Sequence, residues 1–410
     1  WHLQKRGADC RIFEKDPVVG GLCCSKNIGD FIFDRSGHLL HFKYSYTFNL
    51  VKRLLGNRLT AHKKNAWIYS YGKYSRYPFQ ANLYGLPSKV IKECLLGFIY
   101  ALRNGKNIKD RNFLDWINHT FGQGIARHFM IPYNLKFWTI PPQKMTCEWL
   151  DGFVPVPSLG ELVEGTVEES KRVFGYNAEF WYPKNGGISL LPSAMADEIK
   201  NIHTGCKITK IDLNKKEIVV NSGCREKFDY LISTIPLPEI PFLARGLPKI
   251  SRGWFKKLKW NSIFNLNLGL EHKVSKGRHW VYFPEKEICF FRVGFPSNFS
   301  NNVSPSGKES VYIEIAYSAA KPIDKKNVLS RAERDLKKIG ILDNGGICVR
   351  DINDIKYGYP IYDIHYSKAR EQIYNFLMGR NVVPCGRYGS WRYLSMEGVI
   401  LDGERAALSL

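Results

Sequence analysis

Glu14 stands at the end of a short β-type run, Ala8 to Lys15, that follows a helix-like segment, Trp1 to Arg6, and a glycine, Gly7. Helix, glycine, strand and terminal carboxylate make the second half of a βαβ dinucleotide-binding unit, in which the acidic residue accepts hydrogen bonds from ribose hydroxyls. Taken alone, Glu14, with Lys15 beside it, reads equally as a solvated strand-end charge. The pair Gly20-Gly21, followed by Leu22, lets backbone come close to a ligand or take positive φ, and forms an ordinary loop as readily. Gly37-His38, with His41 three residues on, follows an alternating strand from Phe31 to Asp34. Near the other end of the chain, Gly386-Arg387 closes a short strand, where glycine permits close approach and the guanidinium offers a fixed fork of donors to phosphate oxygens. Ser395-Met396-Glu397-Gly398-Val399 then opens a helix, whose first amides and dipole favour negative charge. No Ser-His-Asp arrangement, paired-carboxylate signature or Cys/His cluster at ligand spacing stands out, so no metal site is expected.

These residues need elements to position them. Counting back about 20 residues from Glu14 puts the glycine-rich phosphate-binding turn before Trp1. The expected fold class is therefore α/β, with a Rossmann-like nucleotide-binding domain that is incomplete at its N-terminus. Residues 1–64, 181–240 and 346–410 are expected to build it. A mainly helical segment, 65–180, and a strand-rich one, 241–345, form an inserted α+β substrate domain. Apolar residues at 3–4 spacing (Val90, Ile91, Cys94, Leu95, Phe98, Ile99) predict a helix after Leu86-Pro87-Ser88. Further helices are predicted from Asn112 to Gly122, through Phe129 to Trp138, and over 325–341. Strands are predicted over 206–212, 217–221, 228–236 and 381–387. Val399, Gly403 and Ala407, four apart, predict a narrow face for close helix packing.

The chain has 410 residues, 44% hydrophobic and 14% aromatic, which excludes disorder, a disulfide miniprotein and a fibrous repeat. Sixty Lys plus Arg against 38 Asp plus Glu leave a net charge of +22, which calls for anionic company. The basic residues are spread over many loops and helix ends rather than gathered in a stripe, so nucleic acid is not expected as the partner. Ten cysteines without a C-x-x-C pair fit a reducing cytoplasm. The longest apolar stretch, Cys94 to Leu102, is about half of the roughly 20 residues a spanning helix needs. The helix from Lys89 to Arg103 has apolar residues and basic flanks, and either packs inside the substrate domain or rests on an anionic membrane surface.

Taken in order, these stretches resemble the flavin-dependent amine oxidase superfamily, in the branch of protoporphyrinogen-oxidase-like proteins and UDP-galactopyranose mutases. The resemblance covers nearly the whole chain. It runs through Phe13-Glu14-Lys15, Gly20-Gly21, Phe33-Asp34 to Gly37-His38 and His41, Tyr77-Pro78-Phe79, and Pro132-Tyr133 to Lys136 and Trp138. It continues through Tyr182-Pro183, Gly186-Gly187, Thr234-Ile235-Pro236, Phe291-Arg292, Tyr359-Pro360 and Gly386-Arg387 to Tyr393 and Met396. It implies FAD as cofactor, with Glu14 and Lys15 at the adenosine ribose and Gly20, Gly21 and Leu22 along the pyrophosphate and ribityl chain. Gly37 and His38 would lie near the flavin, the backbone of Ile208 at the adenine, and Gly386 and Arg387 at phosphate oxygens. Met396, Glu397, Gly398 and Val399 would present the helix start to the flavin. The catalytic candidates are His38, Arg292 and Arg387.

The resemblance leaves three kinds of activity open. The first expectation is an FAD-dependent oxidoreductase that passes hydride from a small organic substrate to flavin. The alternative is a redox-neutral isomerase of a nucleotide sugar or other phosphate-bearing compound, similar to UDP-galactopyranose mutase and working with reduced flavin. A third is a flavin-fold protein that binds without turnover. Ser395 stands where the mutase pattern carries an acidic residue, and Phe295-Pro296-Ser297-Asn298 lacks that pattern's Glu and Lys. Both departures favour the oxidoreductase.

Overall fold

A computed structural model describes residues 1–104, 109–150, 152–170, 172, 174–175, 178–343 and 346–410. The helix His2–Lys5 ends in Gly7 at φ 80°, and the chain enters the strand Ile12–Phe13, which pairs in parallel with Ile202–His203. A second parallel pair joins Leu231–Ser233 to Val382–Pro384. Three distant parts of the chain thus meet in short parallel strands, as a Rossmann-like domain requires. Beside them Ile208–Asp212, Glu217–Val220 and Arg225–Lys227 form an antiparallel meander.

A seven-stranded sheet runs in the order 347–361, 259–270, 309–317, 292–294, 280–282, 66–70, 73–76. The second strand in that order, Lys259–Leu270, is covered on both faces and reads accordingly as a nearly unbroken buried run. The helix Val328–Lys338 closes one face, setting Val328, Ala332 and Leu336 against Leu266, Leu268, Val311 and Ile313. Strand Ile347–Ile361 pairs with Lys259–Leu270 along nearly its whole length. It therefore belongs to the same sheet as 259–270, on the far side of the boundary expected at 345/346. The strands at 66–76 likewise show that the segment expected to be mainly helical contributes two strands to that sheet.

The helical part packs Ser88–Asn104 against Phe113–Ile125 at unusually short range. Phe98, Phe113, Phe121 and Ile125 fill the contact with no exposure. At the crossing three glycines replace side chains: a Cβ on Gly122 would lie 2.0 Å from the Gly97 carbonyl oxygen, and one on Gly124 would lie 2.1 Å from that of Glu93. Gly122 also sits at φ 74°, kinking the second helix. Backbone strain and backbone overlap add at this one position. Gly122→Ala is expected to lower unfolding stability by at least about 3 kcal/mol, read from the urea midpoint. A loss below about 1 kcal/mol would mean that the helices can part without cost. Among the described residues, no helix is long and apolar enough to cross a membrane.

Candidate functional site

Strand Phe31–Asp34 feeds a tight turn through Ser36 (φ 72°), Gly37 and His38. Contact dictates glycine here, since a Cβ on Gly37 would lie 2.5 Å from the Tyr312 hydroxyl. Ser36 Oγ donates to Glu314, and its N–H donates to Asn265 Oδ1 at 3.2 Å. His38 Nδ1 is 3.2 Å from the Ser36 carbonyl oxygen. A carbonyl only accepts, so Nδ1 carries the proton and Nε2 of the neutral ring is left as an acceptor. Burial pushes His38 down to about 4, so the ring is neutral at pH 7. Below the turn, Asp34 accepts from Ser25 Oγ and Tyr182 hydroxyl, each at 2.6 Å, and from the Ile188 N–H at 3.1 Å.

Burial pushes His41 and His279 to about 4 as well, from an ordinary value of 6.5. The fold keeps these three rings neutral where the unfolded chain would protonate them. Their stabilisation is complete above pH 6.5 and is lost as pH falls toward 4. Asp34 acts in the opposite sense. Burial raises it from 3.8 to about 6, so the fold holds its proton more tightly and gains stability as pH falls through 6 toward 3.8. Three groups outweigh one, and the urea midpoint is expected to fall between pH 7 and about pH 4, with His38→Gln making the decline shallower. An unchanged slope in that variant would show that His38 is not held neutral.

Arg292 does not project as a free cation. Its Nε and Nη2 both donate to Glu314, Nη2 at 2.9 Å, and Glu314 is only 1% exposed. Burial works against the Arg292 charge, but the Glu314 carboxylate outweighs it and pushes the guanidinium well up. The substrate-side cation expected from the sequence is thus already neutralised from below.

Arg387 is the opposite case. Gly386 leaves its strand at φ 75°, donates its N–H to Asp402 Oδ2 at 2.7 Å, and faces open space where a Cβ would stand. The Arg387 guanidinium then lies among the rings of Tyr359, Tyr393 and Tyr388, at 4.6, 5.0 and 5.7 Å. Nη1 donates to the Leu394 carbonyl at 2.9 Å and Nη2 to that of Gly358 at 3.2 Å, while Nε is buried with no partner. These carbonyls and the Tyr388 hydroxyl, which also hydrogen-bonds Arg387, are neutral, and no carboxylate among the described residues pairs with the cation. His38 feels the charges of Arg387, Glu314 and Arg292 together, and Tyr393 those of Arg387 and Arg292. The three catalytic candidates thus lie within electrostatic reach of one another, beside the contacting pairs Tyr133 with Tyr282 and Tyr359 with Tyr393.

Around the cleft the remaining expected residues divide. Glu14 accepts from the Asp16 N–H through Oε1 at 2.8 Å, which fixes the carboxylate at the strand end and leaves its second oxygen to a ligand. Gly20 (φ 111°) has the Cys23 carbonyl oxygen 2.6 Å from where a Cβ would be; Gly21 (φ 60°) opens onto free space. Leu22 packs against the Phe291 cluster, and the neighbouring Cys23 thiol is pushed to about 12 by burial, with Arg387 pulling the other way. The glycine loop thus lies within electrostatic reach of Arg387. Ile208 opens its strand half-buried against the core.

Other positions depart from expectation. The Lys15 side chain is 67% exposed, with its ammonium 3.6 Å from Asp16. Ser395 Oγ caps the helix Met396–Leu408 by accepting from the Gly398 N–H, and the Val399 N–H donates to the Ser395 carbonyl. Those two amides are therefore taken, and the Val399 side chain is 37% exposed. Met396 packs into the cluster around Leu40 and Trp280. Glu397 is spent elsewhere: its carboxylate accepts from the N–H groups of Lys43 and Tyr44 and from Thr47 Oγ1, capping the neighbouring helix Ser45–Leu55. Gly403 has nothing within 4 Å of a Cβ, so the small-residue face is not a close contact.

Sequence reasoning missed the polar layer that ties the turn to the substrate sheet. Asn267 Nδ2 donates to the Asp34 carbonyl at 3.1 Å and to Asp351 at 3.0 Å, Asn353 Nδ2 donates to Asn265 at 3.1 Å, and Lys26 reaches both Asp351 and Asn353. A signal was present. Asn265-Leu-Asn267, inside an apolar run, and Asp351-Ile-Asn353, in an alternating one, put polar residues at strand period two, and buried polar side chains at that spacing need partners on one face.

The donor set suits FAD: an open carboxylate oxygen on Glu14, glycine backbone with room beside it at Gly21 and Gly386, and an unpaired buried nitrogen on Arg387. The chain matches the family model described as flavin containing amine oxidoreductase over residues 1–409. It is similar to a crystal structure of reduced UDP-galactopyranose mutase, with 26% identity over 99% of this chain and 89% of that one and a TM-score of 0.93. It shares its fold with a putative protoporphyrinogen oxidase from Exiguobacterium sp. 255-15, at 13% identity, 100% and 94% coverage and a TM-score of 0.76. The same holds for putrescine oxidase bound to putrescine, at 12%, 100% and 94%, and 0.64. A donor set that suits FAD and a match from end to end point the same way: the chain belongs to the flavin containing amine oxidoreductase family, and its cofactor is FAD.

Proposed function

We propose that the cleft takes a phosphate-bearing nucleotide sugar and that the protein isomerises it without net redox change, with its flavin reduced. The observation that carries this reading is Arg387, a part-buried guanidinium among tyrosines whose hydrogen-bond partners are neutral. An uncompensated cation of this kind favours an anion in the cleft. The 0.93 TM-score to a reduced UDP-galactopyranose mutase supports the same reading. FAD supplies the electron-rich centre on which such a rearrangement depends. Glu14 holds the adenosine ribose of the cofactor, and Arg387 draws phosphate oxygens to the cleft. The tyrosine walls exclude water, and His38 offers Nε2 as a neutral acceptor that does not compete with the anion. Ten free thiols support the cytoplasm as its compartment.

The test is anaerobic. With dithionite-reduced flavin and UDP-galactopyranose or another nucleotide sugar, an isomeric product is expected by chromatography, with the flavin spectrum still reduced afterwards. Ser395, in place of the acidic residue of the mutase pattern, favours a second reading, an FAD-dependent oxidoreductase that takes hydride from an organic substrate. Hydrogen peroxide or acceptor reduction with such a substrate, and no isomer from any nucleotide sugar, would replace the first reading by the second.

A further inference from the structure

The helix Ser88–Asn104 buries Val90, Cys94, Phe98 and Ala101 against Phe113–Ile125 and leaves the opposite side open. That side carries Leu96 at 58% exposure, Ile99 at 45% and Tyr100 at 71%, interleaved with exposed Lys89, Lys92 and Arg103. At 100° per residue these six lie on one outward face. The helix has a single carboxylate, Glu93, and it is turned aside to His128 Nε2 at 2.9 Å and Arg127 Nη1 at 3.3 Å. The outward face is thus apolar and purely cationic. The neighbouring helix Leu159–Val167 adds exposed Val163 and Val167. Two of its acidic residues, Glu161 and Glu164, are each 3.5 Å from Arg172.

We infer that this face docks on an anionic lipid surface, its apolar residues entering the acyl boundary and Lys89, Lys92 and Arg103 meeting lipid phosphates and carboxylates. Charge complementarity selects lipid over a second copy of the chain. A two-fold contact through this face would set like charges against each other. An interfacial helix needs this combination, an apolar strip edged by Lys and Arg, with no length requirement for spanning. The excess of 22 positive charges adds long-range attraction toward the same surface.

The experiment is co-sedimentation of the flavin-loaded protein with vesicles of phosphatidylcholine alone and of phosphatidylcholine with phosphatidylserine in equal parts. Binding is expected to the mixed vesicles only and to fall steeply with salt. The variant Lys89→Gln/Lys92→Gln/Arg103→Gln is expected to bind about a hundredfold more weakly with unchanged flavin absorbance, since all three side chains are exposed. Leu96→Ser/Tyr100→Ser, which keeps the charges, is expected to lose the binding that survives at high salt. Equal binding to both vesicles, no binding to either, or a dimer in gel filtration that Lys92→Glu dissociates would overturn the assignment.

Discussion

Replacing Arg387 by methionine is expected to lower kcat/KM by about a hundred- to a thousandfold, while leaving the flavin-free protein no less stable than the parent. The two halves of this result have opposite physical origins. A part-buried guanidinium with two carbonyls and the Tyr388 hydroxyl as partners and an unpaired, buried Nε has lost water without gaining a counter-charge. That arrangement costs several kcal/mol, partly offset by the rings of Tyr359, Tyr388 and Tyr393. Methionine fills similar volume without the desolvation cost. A preorganised donor set aimed at developing or resident negative charge, by contrast, contributes about 3–4 kcal/mol to a transition state. Arg387→Lys keeps the charge but loses the planar fork, and is expected to fall between parent and methionine variant. The measurements are turnover on the reactive substrate and thermal unfolding of the flavin-free form. If Arg387→Met unfolded well below the parent while turning over normally, the residue would be structural and the anion site would lie elsewhere.

The Rossmann-like half was legible because its signals are local. A glycine at positive φ after a short helix, a strand ending in Glu14 and a strand closed by Gly386 each follow from backbone preferences within a few residues. The convergence of His38 and Arg387 was legible only through resemblance, since 349 residues separate them in the sequence. What stayed hidden were partnerships formed across layers. Nothing near Glu397 says that its carboxylate will cap a helix beginning at Ser45, and nothing near Arg292 says that Glu314 will neutralise it. The pairing of Ile347–Ile361 with Lys259–Leu270 stayed hidden for a related reason. The alternation of Ile347–Ile361 marks a half-buried strand, but alternation does not say which sheet it joins.

The largest stability effect is expected at Glu314. Glu314→Ala leaves Arg292 buried beside Phe291 and Tyr312 with its charge unanswered, and frees the Ser36 hydroxyl from its acceptor. Removing one partner of a buried ion pair costs about 3–5 kcal/mol, because the remaining charge cannot recover its hydration. The double variant Arg292→Met/Glu314→Leu removes both charges and is expected to regain most of that loss, since a buried pair and an apolar pair of similar volume are nearly equivalent in free energy. Urea midpoints of the four proteins form the cycle. Turnover then separates two roles for Arg292. If it acts only to hold Glu314 and the Ser36–His38 turn, Arg292→Met and the double variant should lose activity in proportion to the disturbance of the flavin spectrum. If it also contacts the substrate, the double variant should regain stability and a normal spectrum yet turn over slowly with raised KM. A Glu314→Ala protein within about 1 kcal/mol of the parent would mean that Arg292 can swing into the cleft and find solvent there, and the neutralised cation described above would not be the state of the protein in solution.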